Sequence, residues 1–342
     1  MNIKIPDNLD EDEEIEIGLN LHSYTQKNTP NKLFRYRICS EYHIDAFKNN
    51  ELWMSKPSKF NDPHDALLYI NKQRIVNQLN SLSLPDSNSI RNQLKEDKNF
   101  RNIQSKLLGK EFVAEFIDDK TNQLTLDKKE LEELDLHNNE ITNSVITKSI
   151  KHVKQASYVA CFSEDIKSTL MWSHYSDNHK GFAVEYDFKS MHGRESFIEE
   201  SFFIDQKIFP VIYSNNRYDA TGYFEHQFMY NFYRQMGINV NFPFYDKLFW
   251  YKSVLVKSLD WSYEQEWRII KLSNNEIQND EADYINVPNV RPNAIYFGCE
   301  IEKDRRNKLI EICNEKGIKM YDMVLELHDK EFQFNSVIIN DA

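Results

Sequence analysis

Glycine is what this chain lacks: eight occur in 342 positions, and no two are separated by a single residue. Backbone can approach a phosphate closely only where no Cβ intervenes. Neither the Rossmann dinucleotide loop nor the P-loop therefore has a place to form. Any nucleotide this chain binds is held by side chains.

Hydrophobic patterning fills in the class. From Leu33 the chain alternates as a strand to Cys39, with Phe34, Tyr36 and Ile38 on one face and Arg35 and Arg37 on the other. A short helix over 41–49 leads to a second strand, Glu51 to Ser55. In Phe60-Asn61-Asp62-Pro63, Asp62 suits a helix N-cap and Pro63 the first helical position. Residues 71–155 turn polar and helical, with a turn at Pro85-Asp86-Ser87-Asn88, and read as an insertion. Strands follow at Tyr158–Ser163 and Phe182–Phe188, separated by a helix that Ser168 caps and that runs through Tyr175. Phe224, Phe228 and Phe232 recur at helical spacing, which indicates a core rather than a base-stacking platform. Late strands are expected at Trp261–Ile270, Ala294–Gly298 and Tyr321–Leu327, with a helix over 303–315 ending near Gly317. Strands scattered among helices without regular βαβ spacing specify an α+β fold. The organisation is an acidic, partly disordered arm over 1–31, then one domain over 32–342 carrying the helical insertion.

Composition removes several function classes. No run approaches the ~20 apolar residues of a membrane span, and no basic start precedes an apolar core, so neither a membrane protein nor a signal peptide is expected. Cys39, Cys161, Cys299 and Cys313 stand far apart without CxxC spacing, as reduced thiols of a cytoplasmic protein do. Formal charge is −12, and residues 1–26 supply half of it with seven acids against Lys4. A general nucleic-acid coat is thereby disfavoured. No GxSxG, HExxH or zinc spacing occurs, and no metal is expected.

Three constellations can carry chemistry. Tyr263-Glu264-Gln265-Glu266-Trp267-Arg268, read as strand, puts Glu264, Glu266 and Arg268 on one face and Tyr263, Trp267 and Ile269 on the core side. The spacing fits either a catalytic carboxylate pair or a solvated edge face. Met171-Trp172-Ser173-His174-Tyr175, running on to His179 and Gly181, crowds aromatics and histidines at a helix-to-strand turn, as pocket wall or as core plug. Arg35 and Arg37, with Asn61 to His64 close behind, offer cations for phosphates or merely a pair of surface arginines.

These motifs, in this order, resemble a bacterial family known as domain-of-unknown-function family 2971. The likeness runs over Leu33–Tyr36, Leu52–Pro63, Cys161–Glu164, Met171–Asp187 and Lys257–Arg268. A weaker, fold-level resemblance links the Arg-bearing first strand, the aromatic turn and the late Glu-x-Glu to ADP-ribosyltransferases, including those of toxin–antitoxin and phage-defence systems. That likeness implies a mixed sheet core of the ADP-ribosyltransferase kind, with NAD as substrate. It implies Glu266 as catalytic carboxylate, Glu264 as its assistant, and Arg35, Arg37, Asn61, His174 and Tyr175 as NAD contacts. A protein, RNA or DNA acceptor, and an antitoxin or other regulatory partner, follow from the same likeness. The chain departs from it in lacking the Ser-Thr-Ser stretch of many such enzymes and in its helical insertion. The alternative is a non-enzymatic protein that docks a partner on the insertion; a metal-dependent nuclease ranks below both.

Overall fold

A computed structural model describes residues 27–83, 128–191, 208–235, 248–273, 282–328, 330 and 332–339, with 92, 94–98, 100–102, 105 and 110–118 of the region between. The expected turn at 85–88 and residues 1–26 of the acidic arm lie outside the described residues. The end of the arm is docked, since Thr29 is buried.

The strands in chain order are β1 (Leu33–Arg37), β2 (Leu52–Ser55), β3 (Ser157–Ser163), β4 (Phe182–Tyr186), β5 (Ile208–Pro210), β6 (Ile212–Ser214), β7 (Val256–Ser258), β8 (Glu266–Leu272), β9 (Tyr284–Val287), β10 (Ala294–Phe297), β11 (Lys319–Leu325) and β12 (Phe334–Ile338). The helices that matter here are α1 (Glu41–Lys48), α2 (Lys72–Ser83), α3 (Lys110–Asp118), α4 (Lys128–Val153), α5 (Thr169–Tyr175), α6 (Thr221–Gln235) and α7 (Lys303–Lys316). Helices set apart from a mostly antiparallel mixed sheet make this an α+β fold, as expected.

Ten strands form one sheet in the order β12-β11-β10-β4-β1-β3-β2-β9, with β8 paired to β3 and β5 to β8. Strands β6 and β7 make a separate parallel pair. The centre of the sheet positions the site. Strand β8 lines one edge of β3 along its whole length, Ser157↔Leu272 to Ser163↔Glu266. A strand has only two edges, so β1 and β2 must share the other. Phe34 pairs with Ser163 near the end of β3, and Ser55 pairs with Val159 near its start. The two strands splay apart between these points and leave a seam.

Two apolar layers sandwich the sheet. On one face Leu33, Met54, Phe162 and Trp267 pack beneath Ile44 and Phe47 of α1 and Leu309 and Ile312 of α7. On the other, Phe34, Tyr36 and Ala183 pack beneath Met171 and Trp172 of α5. Ser168 caps α5 as its sequence implies, its Oγ accepting from the Met171 amide at 3.3 Å. Gly317 closes α7 in the left-handed conformation at φ 63°. In the insertion, Ile75 and Leu79 of α2 and Val153 of α4 pack with Phe224 and Phe228 of α6, so these aromatics are core.

Two local expectations fail. No helix follows Pro63: Asp62 Oδ1 instead accepts from the His64 amide at 2.8 Å, making a local turn. The segment Trp261–Ile270 is not one strand. Leu259–Glu264 is a 3₁₀ helix, and β8 starts only at Glu266.

Candidate functional site

The break between Glu264 and Glu266 builds the site. Ser258 opens the 3₁₀ turn, and Gln265 closes it in the left-handed region at φ 45°, ψ 52°. That conformation is unfavourable for a residue with a Cβ, by roughly 1 kcal/mol or more. Its effect is to abolish simple alternation and still bring both carboxylates onto one cation. Lys257 Nζ pairs with Glu264 Oε2 and donates to Glu266 Oε2 at 2.9 Å.

Arg268 completes the cluster. Its Nε and Nη2 donate to the two oxygens of Glu266 at 2.8 and 3.1 Å, and Nη1 and Nη2 donate to those of Asp65 at 2.8 and 2.5 Å. All five side chains are buried, Arg268 completely. The solvated edge face expected as one reading of this motif is therefore absent. Tyr263 is also re-aimed, packing against the cluster under α5 that holds Tyr36 and Trp172, while Trp267 and Ile269 belong to the layer on the opposite face.

Three carboxylates meet two cations here, and the surroundings treat the two glutamates differently. Burial opposes ionisation of Glu266, but Arg268 and Lys257 outweigh it and hold this carboxyl well below the usual range. For Glu264, burial and then the charge of Glu266 prevail over Lys257, and its pKa is raised. Burial also opposes the charge on Lys257, yet Glu266 and Glu264 keep it protonated. The Glu266 amide donates to Tyr213 Oη at 2.8 Å, which fixes the start of β8. The Cys161 thiol lies beside Glu266, and burial followed by that carboxylate keeps it protonated.

The cluster forms the floor of a cleft of about 380 Å³ on the α5 side of the sheet. Tyr175 at the end of α5 donates its hydroxyl to Glu264 Oε1 at 2.6 Å and accepts from Asn61 Nδ2 at 3.4 Å. Exposed His174 lies beside Tyr263, ring centroids 6.3 Å apart, and both Phe60 and Lys59 line the wall. All seven candidate residues line this cleft, and Glu264, Glu266, Tyr175, Asn61 and His174 do so from the α5 side of the sheet. His179 stands apart, its Nε2 on Ser173 Oγ at 3.1 Å and its ring stacked on Phe334.

Arg35 and Arg37 hold a different position. Phe34 opposes Ser163, which opposes Glu266, so these three share a face and the arginines spring from the other. Both still border the cleft, because they stand at the seam between β1 and β2. Lys257 and Asp65 were not anticipated as site residues. Asp65 carries no sequence signal, but a glutamate pair that proves buried demands a cation, and Lys257 is close in sequence. Among the described residues no group of three His, Cys, Asp or Glu side chains is arranged to hold a metal ion. No helix among them is long and apolar enough to cross a membrane.

Residues 171–269 match the model of the family described as protein of unknown function (DUF2971), the family that the motifs resemble. The matched stretch runs from Met171 at the start of the aromatic turn to Ile269, one residue past Arg268. No curated protein and no solved structure matches the chain.

Proposed function

We propose that the cleft transfers ADP-ribose from NAD to a protein or nucleic-acid acceptor, on an ADP-ribosyltransferase-like sheet core. The observation that carries this reading is the unequal glutamate pair at the cleft floor. Breaking the C1′–nitrogen bond sends the bonding electrons out with nicotinamide and leaves an oxocarbenium-like ribose. Ionised Glu266 supplies a fixed negative charge for that cation. As the acceptor's nucleophile bonds to C1′ it loses a proton, and Glu264, whose pKa is raised, is suited to take it.

The rest of the cleft agrees with such a substrate. Its volume falls in the ~300–1,000 Å³ range of ligand sites. Tyr175, His174 and Phe60 offer ring faces, and Arg35 and Arg37 offer phosphate partners that require no glycine loop. A toxin or phage-defence effector held in check by a regulatory partner is the biological setting this chemistry suits.

A second reading has its own support: every carboxylate of the cluster already has a cationic partner, as in a structural staple. A direct assay separates the two. Purified protein incubated with NAD should release free nicotinamide, and Glu266→Gln should slow the release by on the order of 10²–10³. No release with protein, RNA or DNA acceptors present would leave the cluster as a staple and the chain as a binding protein.

A further inference from the structure

The seam between β1 and β2 has a second mouth. On the α1 side it opens into a cavity of about 170 Å³ whose walls include Tyr42, His43, Trp53 and Tyr284. This cavity and the cleft share Arg35, Arg37 and Ser55. The arginines therefore form part of the partition between two spaces.

Arg35 is unusual in that position. Its guanidinium donates Nη2–H to the Trp53 carbonyl at 2.5 Å and lies 5.6 Å from the Phe162 ring centroid. Nε and Nη1 are buried and have no hydrogen-bond partner among the described residues. No carboxylate there is paired with it. Buried N–H groups are nearly always satisfied, so Nε and Nη1 are left open to an acceptor that the described residues do not supply. Arg37, half-buried, donates to the Tyr36 carbonyl at 3.2 Å and has no ion-pair partner among the described residues. The carboxylate in the small cavity's wall, Glu51, is engaged by the Trp53 indole N–H at 3.0 Å. The partition thus carries positive charge that no carboxylate among the described residues pairs.

The small cavity adds ring faces to that charge. Tyr42 and Trp53 lie 5.2 Å apart at an interplanar angle of 56°, and Tyr42 and Tyr284 are each about half exposed at the mouth. We propose that Arg35 and Arg37 bind the phosphate of a nucleotide, and that the base of the same nucleotide occupies the box formed by Tyr42, Trp53 and Tyr284. The guanidinium fork matches phosphate geometry, and aromatic side chains stack on any base. A space of this size takes one ring system, whereas a dinucleotide would need both mouths of the seam. This deepens the NAD reading by giving the adenosine half a place, but it does not depend on the transfer reaction.

AMP, which has no nicotinamide to release, is the probe. Titration followed by calorimetry and by intrinsic tryptophan fluorescence should show AMP binding. Adenosine and inorganic phosphate should each bind roughly tenfold more weakly or worse, the loss of a charge-assisted contact or of a stacked ring. Tyr284→Ala and Arg37→Gln should each weaken AMP about tenfold, with unfolding midpoints near wild type. AMP binding that is absent to millimolar concentration, matched by phosphate alone, or indifferent to both substitutions overturns the subsite. If the subsite passes and no nicotinamide is ever released, the transfer reading alone falls. If nicotinamide is released at full rate by a protein that fails the AMP test, the subsite alone falls.

Discussion

Arg268 grips Asp65 through a two-point contact, Nη1 to Oδ1 at 2.8 Å and Nη2 to Oδ2 at 2.5 Å, across 203 residues of chain. The pair ties the turn after Asp62 to the middle of β8, so one wall of the cleft hangs on one guanidinium. Removing one member of a buried pair strands the other, at a cost of about 3–5 kcal/mol. Arg268→Met should lower stability by about that amount in urea unfolding. Arg268→Lys should recover only part of it, because an ammonium cannot make the fork. A lysine variant as stable as wild type would mean the two-point geometry is unimportant.

The two glutamates should also be separable by pH. Glu266 has a depressed folded pKa, so its contribution is present above the unfolded value of about 4.3 and is lost as pH falls through the folded value. Glu264 has a raised folded pKa. Its contribution is complete below about 4.3 and disappears as pH rises through the folded value. Stability profiles from urea midpoints should therefore have a shallower acid limb in Glu266→Gln than in Glu264→Gln. Profiles of the same shape for both variants would count against the unequal pair.

What the sequence shows and hides follows the range of the interactions involved. Ser168 before α5, Gly317 after α7 and the Phe224/Phe228 spacing are local signals, and each element forms where its signal lies. The left-handed Gln265 is different. No glycine or asparagine marks it, so alternation runs straight through the segment and predicts strand where the chain forms a 3₁₀ helix. The two carboxylates nonetheless meet, for a reason other than alternation: the turn returns Glu264 to the cation that Glu266 meets. Asp65 had no such luck: its partner is 203 residues away, and only tertiary structure joins them. The placement of Arg35 likewise depends on β1 and β2 sharing one edge of β3, a matter of pairing rather than pattern.

Tyr175 and Trp172, three residues apart on α5, should respond in opposite ways. The Tyr175 hydroxyl bonds the Glu264 carboxylate, whereas the Trp172 ring is wholly buried against Tyr36. Tyr175→Phe should cost only about 0.5–1.5 kcal/mol of stability. It should also raise the apparent pKa of Glu264, because the lost bond favoured the ionised form. Trp172→Ala should cost about 3–5 kcal/mol through the cavity it leaves. Thermal melts rank the pair, and a Tyr175→Phe protein that melts like Trp172→Ala would make the tyrosine core rather than site.

The last test concerns the division of labour between the glutamates during transfer. Glu266 is held by Arg268 and Lys257 before any substrate arrives, so its charge is preorganised. Loss of a preorganised group that acts on developing charge costs on the order of 10²–10³ in rate and little in binding. Glu266→Gln should accordingly lose nicotinamide release by that factor while retaining NAD affinity. Some stability should be lost as well, since Arg268 and Lys257 would face a neutral amide. Glu264→Gln keeps the fixed charge and should still release nicotinamide to water, but it should transfer poorly to an acceptor whose proton has nowhere to go. Measuring hydrolysis and transfer side by side on both variants decides the matter. Equal losses of the two reactions in Glu264→Gln would end the proton-accepting role assigned to Glu264, and full turnover by a folded Glu266→Gln would end the electrostatic one.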